Sequence, residues 1–423
     1  MNTKRYIVTL LALLITVALH AQNNTGTPYS VFGYGLINEN PGAYTGMGGV
    51  SAAMRDNINI NYLNPASYTA LDSNRWHVQL GVHAEMVRIT THKESAHYRV
   101  AGNGYFNLGF RIRRNLYSSI GFTELSDIGY DLTYKNVIPG SITQKYTQLM
   151  QGEGGLNQFH FGLGWKYKNL SIGANLGVVF GKIERRQTLS IPMDNAYYIK
   201  TSDNTRIHDI IITMGAQYVI DLGGTQNLTL GAYFNPNSRL FGKNSYIAYK
   251  ESSSSSSIID NDDEVDKGFI KYPFKVTAGV AWSKSTKWLV SGDYTFQKMS
   301  QYREFDTHNN IKLKDYHRAS AGISFTPEKH SRKWYLHNSY EFGLYFVRSH
   351  MYMNEHHINT YAFTAGTVVP FLFSNNRQEL DLKASIDCGF RGSEVDGLMR
   401  ERFVKIRLSL AFKELWFMKR KIY

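Results

Sequence analysis

Apolar and polar residues alternate in short stretches that recur from Trp76 almost to the end of the chain. In the first, WHVQLGVHAEM, large apolar residues fall on one side of an extended backbone and polar residues or glycine on the other. Alternation with a period of two predicts β-strands. Fourteen stretches follow this pattern: 76–86, 105–112, 116–122, 159–167, 170–180, 210–220, 227–234, 274–282, 288–296, 318–325, 340–346, 361–369, 380–390 and 404–412.

The two faces of these strands differ in composition. One face carries large aliphatic and aromatic residues, whereas the other carries mostly glycine, serine, threonine and asparagine with a few charges. A soluble sandwich would have a more densely charged outer face, and a lipid-facing wall around a polar lumen is typical of outer-membrane barrels. The sequence therefore predicts an all-β fold, a transmembrane antiparallel β-barrel of about fourteen strands that covers residues 75–415.

The connections between the predicted strands alternate between short and long, as in outer-membrane barrels with short periplasmic turns and long outer loops. We predict outer loops over 91–102, 124–155, 184–204, 237–268 and 300–310. The serine-rich and acidic part of 237–268 is interpreted as a solvated loop tip, since it lacks the spacing of a calcium-binding loop. An even number of strands places both chain ends in the periplasm, and residues 416–423 form a basic periplasmic tail.

The first residues have the features of an export signal. Lys4 and Arg5 precede the apolar run Tyr6–Leu19, and Ala21 is a plausible cleavage position, so residues 1–21 are predicted to be a signal peptide. A membrane anchor is the less favoured alternative, because the run is short for a span. With the barrel, this signal predicts the outer membrane of a Gram-negative bacterium.

Composition and charge narrow the choice of partners. Cys388 is the only cysteine of 423 residues, which excludes an internal disulfide framework and a cysteine-based metal site. The net charge of +13 is spread along the chain without a basic and aromatic platform for nucleic acid, and we assign it to a rim that faces anionic membrane lipid and lipopolysaccharide. We expect a monomer without cofactors.

Before the first strand lies a stretch of small residues, TGMGGVSAAMRDNININYLNPAS. A barrel of about fourteen strands has a lumen too wide for wall side chains to fill, so we predict that residues 22–74 enter it as a hatch. Glycines on the inner wall would allow close approach of the two backbones: Gly81, Gly109, Gly162, Gly164, Gly173, Gly177 and Gly279. The predicted hatch residues are Gly46, Met47, Gly48, Gly49, Ala52, Arg55, Asp56, Asn64, Pro65 and Ala66, with Arg55 and Asp56 paired to lumen charges and Asn64–Pro65 forming a rigid turn.

This stretch resembles the N-terminal signature of the FadL-type (OMPP1/FadL/TodX) outer-membrane transporters, in a member of the Bacteroidetes type. The matching residues are Gly46, Gly48, Gly49, Ala52, Asp56, Asn64, Pro65 and Ala66, whereas the usual glycine after Asn-Pro-Ala is Ser67 here. The resemblance implies a fourteen-stranded barrel with an N-terminal hatch that admits long-chain fatty acids or other hydrophobic molecules. In some members the route includes a lateral opening near the third strand.

The function expected from this resemblance is passive uptake of hydrophobic small molecules. Arg111, Lys166, Lys383 and Arg407 are the candidate partners of an anionic ligand, although each could instead pair with the hatch or with the wall carboxylates Glu85, Asp293 and Glu341. The alternative function is a scaffold barrel that docks a periplasmic or secretion-system partner.

Catalysis and metal binding have little support in the sequence. A barrel phospholipase would need an aligned serine and histidine, and no Gly-x-Ser-x-Gly elbow occurs. His356 and His357 are neighbours in a predicted strand, where successive side chains point to opposite faces, so they make a weak metal site. We therefore predict no enzyme and no catalytic or metal-binding residue.

Overall fold

A computed structural model describes most of the chain. The described residues are 26–31, 33–38, 42–92, 94–137, 145–191, 197–252, 256–305, 313–329, 331, 333–372 and 378–416. The predicted signal peptide and all but the first residue of the predicted basic tail lie outside the described residues.

Strands dominate the fold. They are β1 (Leu36–Ile37), β2 (Arg75–Thr90), β3 (Ser95–Arg113), β4 (Leu116–Val137), β5 (Lys145–Tyr167), β6 (Leu170–Ile191), β7 (Tyr197–Gly223), β8 (Gln226–Asn235), β9 (Ser238–Ser252), β10 (Ser256–Tyr272), β11 (Lys275–Lys284), β12 (Trp288–Gln297), β13 (Arg303–Glu304), β14 (Tyr316–Phe325), β15 (Ser339–Met353), β16 (His356–Leu372), β17 (Gln378–Gly392) and β18 (Arg400–Leu415). The helical elements among the described residues are four short 3-10 helices, Pro28–Val31, Thr45–Met47, Pro65–Ala70 and Met299–Gln301, and one α-helical turn, α1 (Trp334–His337). No helix among the described residues is long and apolar enough to cross a membrane.

The strands form one closed antiparallel barrel, because β18 pairs with β2 along its whole length. β7 pairs with β8 at one end and with β9 at the other, so β8 and β9 together make one barrel strand, and β10 and β11 make the next. Pro236 and Pro273 lie at the two interruptions, where a residue without an N–H cannot continue the ladder. The barrel therefore has fourteen strands, which confirms the predicted fold class.

The predicted long loops are wrong in one respect, since most of their residues continue the barrel wall. β4 to β7 contain 22 to 27 residues each, about twice the 9–11 that a membrane-spanning strand needs. Residues 124–137 pair with 145–157, and residues 238–251 pair with 256–272. The outward positions of these extensions carry polar residues, so a search for strands with one apolar face did not identify them. We call this side of the barrel the long-hairpin end and the opposite side the short-turn end.

The outer surface carries an apolar belt next to the short-turn end. Phe159, Phe161, Leu163, Trp165 and Tyr167 alternate along β5 as exposed side chains, and their neighbours on other strands do the same. All six tryptophans lie near the short-turn end, at positions 76, 165, 282, 288, 334 and 416. Aromatic girdles mark the membrane–water interface in barrels, so this end lies at one interface.

The described part of residues 26–72, which we call the lumenal segment, lies inside the barrel. Its side chains and backbone hydrogen-bond to inward-facing residues on strands around the wall, from Gln79 of β2 and Thr123 of β4 to Asp293 of β12 and Thr364 of β16. The side chains of Met47, Met54, Ile60 and Tyr68 are fully buried there. The segment is held from several sides and fills the middle of the lumen.

Candidate functional site

The wall of the barrel is interrupted between β3 and β4. Their ladder runs from Arg113–Leu116 up to Tyr105–Thr123 and ends there. Beyond that point, the described residues 95–102 of β3 pair with β2, and residues 124–137 of β4 pair with β5. A β-bulge between Glu124 and Ser126 accompanies the separation. The neighbouring strands therefore leave a lateral break in the half of the barrel toward the long-hairpin end.

The lumenal segment covers the free edge of β4 at this break. In β1, Leu36 pairs with Asp127 and Ile37 with Ser126, in the antiparallel sense. The Asn38 backbone N–H donates to the Leu125 carbonyl at 3.0 Å. Because β1 has only two residues, it satisfies the exposed edge with few hydrogen bonds and can separate from it more easily than a full strand.

A cavity of about 100 Å³ lies behind the break, between the lumenal segment and the wall. Apolar side chains from both sides contribute to its lining, among them Leu36, Ile37, Val87, Val100 and Phe403. Pockets that hold drug-sized ligands occupy about 300–1,000 Å³, so the cavity in this state is too small for such a molecule.

Charged wall residues also line this cavity, and most of them pair with one another. Lys405 Nζ lies 2.7 Å from Glu85 Oε2, and Arg407 pairs with Asp387. The carboxylate of Glu124 lies at the break, with Oε2 buried and without a hydrogen-bond partner. Paired charges avoid the cost of an isolated charge in a poorly hydrated site.

A second cavity of about 730 Å³ lies on the opposite side of the lumenal segment, toward the short-turn end. Arg55, Asp56 and Asn57 of the lumenal segment line this cavity on one side, and Trp288 and Lys413 are among the wall residues that line it. The lumenal segment therefore divides the lumen into two unequal compartments.

The glycine- and alanine-rich part of the segment binds to wall side chains through its backbone. The Ser51 and Ala52 N–H groups both donate to the carboxylate of Asp293. Gly48 N–H donates to Thr364 Oγ1 at 2.8 Å, and the Gly48 carbonyl accepts from Arg318 at 2.8 Å. Small residues bring the backbone close enough to the wall for these direct contacts.

Several wall glycines make room for this backbone. Of the predicted seven, Gly109, Gly162, Gly164 and Gly173 contact the lumenal segment, whereas Gly81, Gly177 and Gly279 make room for wall side chains. The structure adds others that the sequence analysis missed, among them Gly215, Gly231, Gly322 and Gly343. A Cβ at Gly231 would overlap the Ala52 carbonyl, and one at Gly343 would overlap the Gly48 amide. Each of these glycines occupies an inward-facing position of its predicted strand, and that position in the alternating pattern could have identified it.

Arg55 does not pair with a lumen charge as predicted, whereas Asp56 interacts with the charge of Lys383 on the wall. Arg55 donates to uncharged oxygens, with Gln217 Oε1 at 2.8 Å, rather than to a charged lumen residue. Asp56 accepts hydrogen bonds from Asn59 and from the Ile58 N–H. Burial by itself raises the pKa of the Asp56 carboxyl, but the Lys383 ammonium and these hydrogen bonds outweigh it and hold the pKa below its ordinary value.

The Asn-Pro-Ala motif begins a helix instead of a simple turn. The Asn64 side chain accepts from the Ala66 N–H at 3.2 Å and caps the 3-10 helix Pro65–Ala70. Pro65 occupies the first helical position, where its missing N–H costs nothing. Asn64 Nδ2 also donates to the Ala52 carbonyl at 2.6 Å, so the motif ties two parts of the lumenal segment together.

The four predicted ligand-facing cations are not gathered in one place. Arg407 lines the cavity behind the break and pairs with Asp387. Lys383 Nζ donates to the Ala43 carbonyl at 3.2 Å and lies 5.1 Å from the centre of the Tyr44 ring. Arg111 and Lys166 lie at the short-turn end, and Arg111 donates there to Asn74. His356 and His357 also have separate partners, Asp396 and Arg348.

Comparisons with known proteins agree on the fold. The BamG family model matches residues 3–423. A FadL homologue from Pseudomonas aeruginosa superposes with a TM-score of 0.58 at 11% identity, covering 90% of this chain and 99% of that one. The toluene transporters TodX from P. putida and TbuX from Ralstonia pickettii give TM-scores of 0.56 and 0.52, at 15% and 13% identity. TodX covers 90% of this chain and 100% of its own, and TbuX covers 89% and 99%.

No curated protein matches the sequence. The FadL-like fold inferred from the N-terminal motif is confirmed, whereas the family model that matches is BamG. Membership of a Bacteroidetes-type group stays a prediction.

Proposed function

Since the chain belongs to the BamG family and has a FadL-like barrel fold, we propose that it is an outer-membrane barrel for passive passage of hydrophobic small molecules. The observation that carries this proposal is the lateral break between β3 and β4. A hydrophobic molecule is more stable in lipid than in water, so a side exit lets it move between lumen and membrane without crossing a polar pore.

Passage requires the lumenal segment to move. The cavity behind the break holds about 100 Å³, and β1 lies against the edge of β4. Separation of β1 from Ser126 and Asp127 would join this cavity to the break. The N-terminal segment then acts as the predicted hatch, and long-chain fatty acids and monoaromatic hydrocarbons are the first cargo classes to test.

A reversible cross-link tests this route. In a Cys388→Ser background, the pair Leu36→Cys and Asp127→Cys would tie β1 to β4 under oxidising conditions. We expect uptake of toluene and of a fluorescent fatty acid into cells to fall on oxidation and to recover on reduction. The control pair, Thr277→Cys and Thr295→Cys, joins β11 to β12 on the inner wall away from the break. Equal uptake by the oxidised and reduced β1–β4 variant would refute the route.

A scaffold barrel that docks a protein partner is the second candidate function. It is favoured by the hydrogen bonds between the lumenal segment and the wall and by the paired charges in the small cavity, which suit a permanent seal. Mass spectrometry of the protein extracted gently from its native membrane separates the two. A stoichiometric hydrophobic molecule that is lost on changing the lumenal face supports passage, and a stoichiometric protein without such a molecule supports the scaffold.

A further inference from the structure

A cluster of cations lies on the lipid-facing side of β18, β2 and β3. Arg402 is directly opposite Arg88, and Arg88 is directly opposite His97. Arg99 lies one outward row nearer the short-turn end, opposite Met86. All four side chains are exposed on the outside of the barrel. Like charges directly across a ladder repel, so this arrangement costs stability unless an anion lies between them.

The cluster lies at the edge of the apolar belt. The rows toward the short-turn end carry exposed Met86, Val404 and Ile406. Consecutive outward rows are about 7 Å apart, so Arg88 and Arg402 lie one row above Met86 and Val404, and Arg99 lies in the same row as Met86. A lipid whose tails pack on this belt brings its headgroup to the arginines.

Some other cations on the outer wall have acidic partners. On β6, Arg186 pairs with Glu153 and Glu184, and Lys182 also pairs with Glu184. Among the described residues, no ion pair involves Arg88, Arg99 or Arg402, and the nearby Glu394 pairs with Arg400. The cluster is therefore a concentration of positive charge that the wall itself does not neutralise.

We propose that Arg88, Arg99 and Arg402 form a binding site for the phosphate groups of a phosphorylated outer-leaflet lipid, lipid A of lipopolysaccharide. Guanidinium groups bind phosphate oxygens in pairs of parallel hydrogen bonds, so three neighbouring arginines suit a phosphorylated headgroup better than a single charge. The acyl chains lie on the exposed belt formed by Met86, Val404 and Ile406. The assignment to the outer leaflet rests on the proposed outer-membrane location, with the long-hairpin end outside.

Native mass spectrometry of the purified full chain with added lipid A tests this site. We compare the wild type, the triple variant Arg88→Gln/Arg99→Gln/Arg402→Gln, and the control Lys182→Gln/Arg186→Gln, which removes cations that have acidic partners. Each cation near an anionic surface contributes roughly a fivefold factor, so the triple variant should bind roughly a hundredfold more weakly. The control variant should bind within about twofold of the wild type.

Further arms identify the ligand and guard against misfolding. Dephosphorylated lipid A and phosphatidylglycerol should bind the wild type more weakly than lipid A, and high salt should weaken lipid A binding. Resistance of the folded barrel to SDS without heating checks each variant, and Arg402→Gln alone, with an expected loss of roughly fivefold, replaces the triple variant if that fails to fold. Equal lipid A binding by the folded variants and the wild type would overturn the site. Equal binding of phosphatidylglycerol and lipid A by the wild type would overturn the assignment to lipid A. So would a triple variant that loses a bound acidic protein and not lipid. None of these outcomes depends on transport.

Discussion

At the scale of the residue, the contact between the lumenal segment and the wall depends on glycines, which have no side chain, as much as on residues that form hydrogen bonds. Gly231 lies against the Ala52 carbonyl, and Gly343 lies against Gly48. These positions let two backbones touch, after which Asp293 and Thr364 can reach the amide groups of the segment. Single methyl groups at the contact should therefore matter more than polar changes on the outer wall.

A pair of glycine substitutions tests this view. Gly231→Ala adds a Cβ that overlaps the lumenal segment, whereas Gly292→Ala adds one whose nearest atom, the Ser320 carbonyl oxygen, is 3.7 Å away. We expect Gly231→Ala to destabilise the docked segment by about 1–3 kcal/mol, the usual cost of overpacking. The readout is the midpoint temperature at which the barrel loses its resistance to SDS. A lowered midpoint for Gly292→Ala with none for Gly231→Ala would contradict the contact.

At the scale of the element, the lumenal segment and the wall strands contribute unequally to closure. The fourteen strands form an unbroken hydrogen-bonded ring only toward the short-turn end, and β1 covers part of the break above it. The rest of the segment separates the two lumen compartments through contacts with many strands. We therefore predict that the segment, and not the wall, closes the lumen.

Deletion of residues 46–53 tests this division of roles. It removes the backbone groups that bind Asp293, Thr364 and Arg318 while leaving every barrel strand intact. We expect a higher ion conductance in planar bilayers, because a wall of fourteen strands surrounds a lumen wide enough for water and ions. The Gly292→Ala barrel is the control, with a conductance like that of the wild type. A closed pore after the deletion would show that the segment is not the seal.

At the scale of the whole molecule, the barrel is tall on one side and asymmetric along its axis. Aromatic residues and short turns mark one end, and β4 to β7 extend well beyond the apolar belt at the other. Long extensions are typical of the outer surface of the outer membrane, and short turns of the periplasmic side. Both the proposed lateral route and the lipid A site depend on this orientation.

Cysteine labelling tests the orientation. In the Cys388→Ser background, His92→Cys lies in an exposed connection at the long-hairpin end and Thr286→Cys in an exposed turn at the opposite end. We expect a membrane-impermeant maleimide to label position 92 on intact cells and position 286 only after the cells are broken. The reverse labelling pattern would mean that the barrel has the opposite orientation and that the arginine cluster lies at the periplasmic leaflet.

The alternating pattern by itself determined the fold, since each of the fourteen predicted stretches lies in a different barrel strand. A lipid-facing strand must be apolar at every second residue across the bilayer, and that local requirement is readable without any partner. The pattern ended at residues such as Asn157 and Lys182, where the strand leaves lipid but keeps its hydrogen bonds, so the hairpin extensions were missed.

Only the tertiary structure decided the details of the lumen. Which wall residue meets which part of the lumenal segment depends on contacts between residues far apart in sequence, such as Ser51 with Asp293 and Arg55 with Gln217. The break in the wall depends on where β3 and β4 stop pairing, and the arginine cluster depends on the register of three strands that include both ends of the barrel. Periodicity along one strand fixes which face a residue occupies, but the neighbour across the ladder is fixed by register and closure.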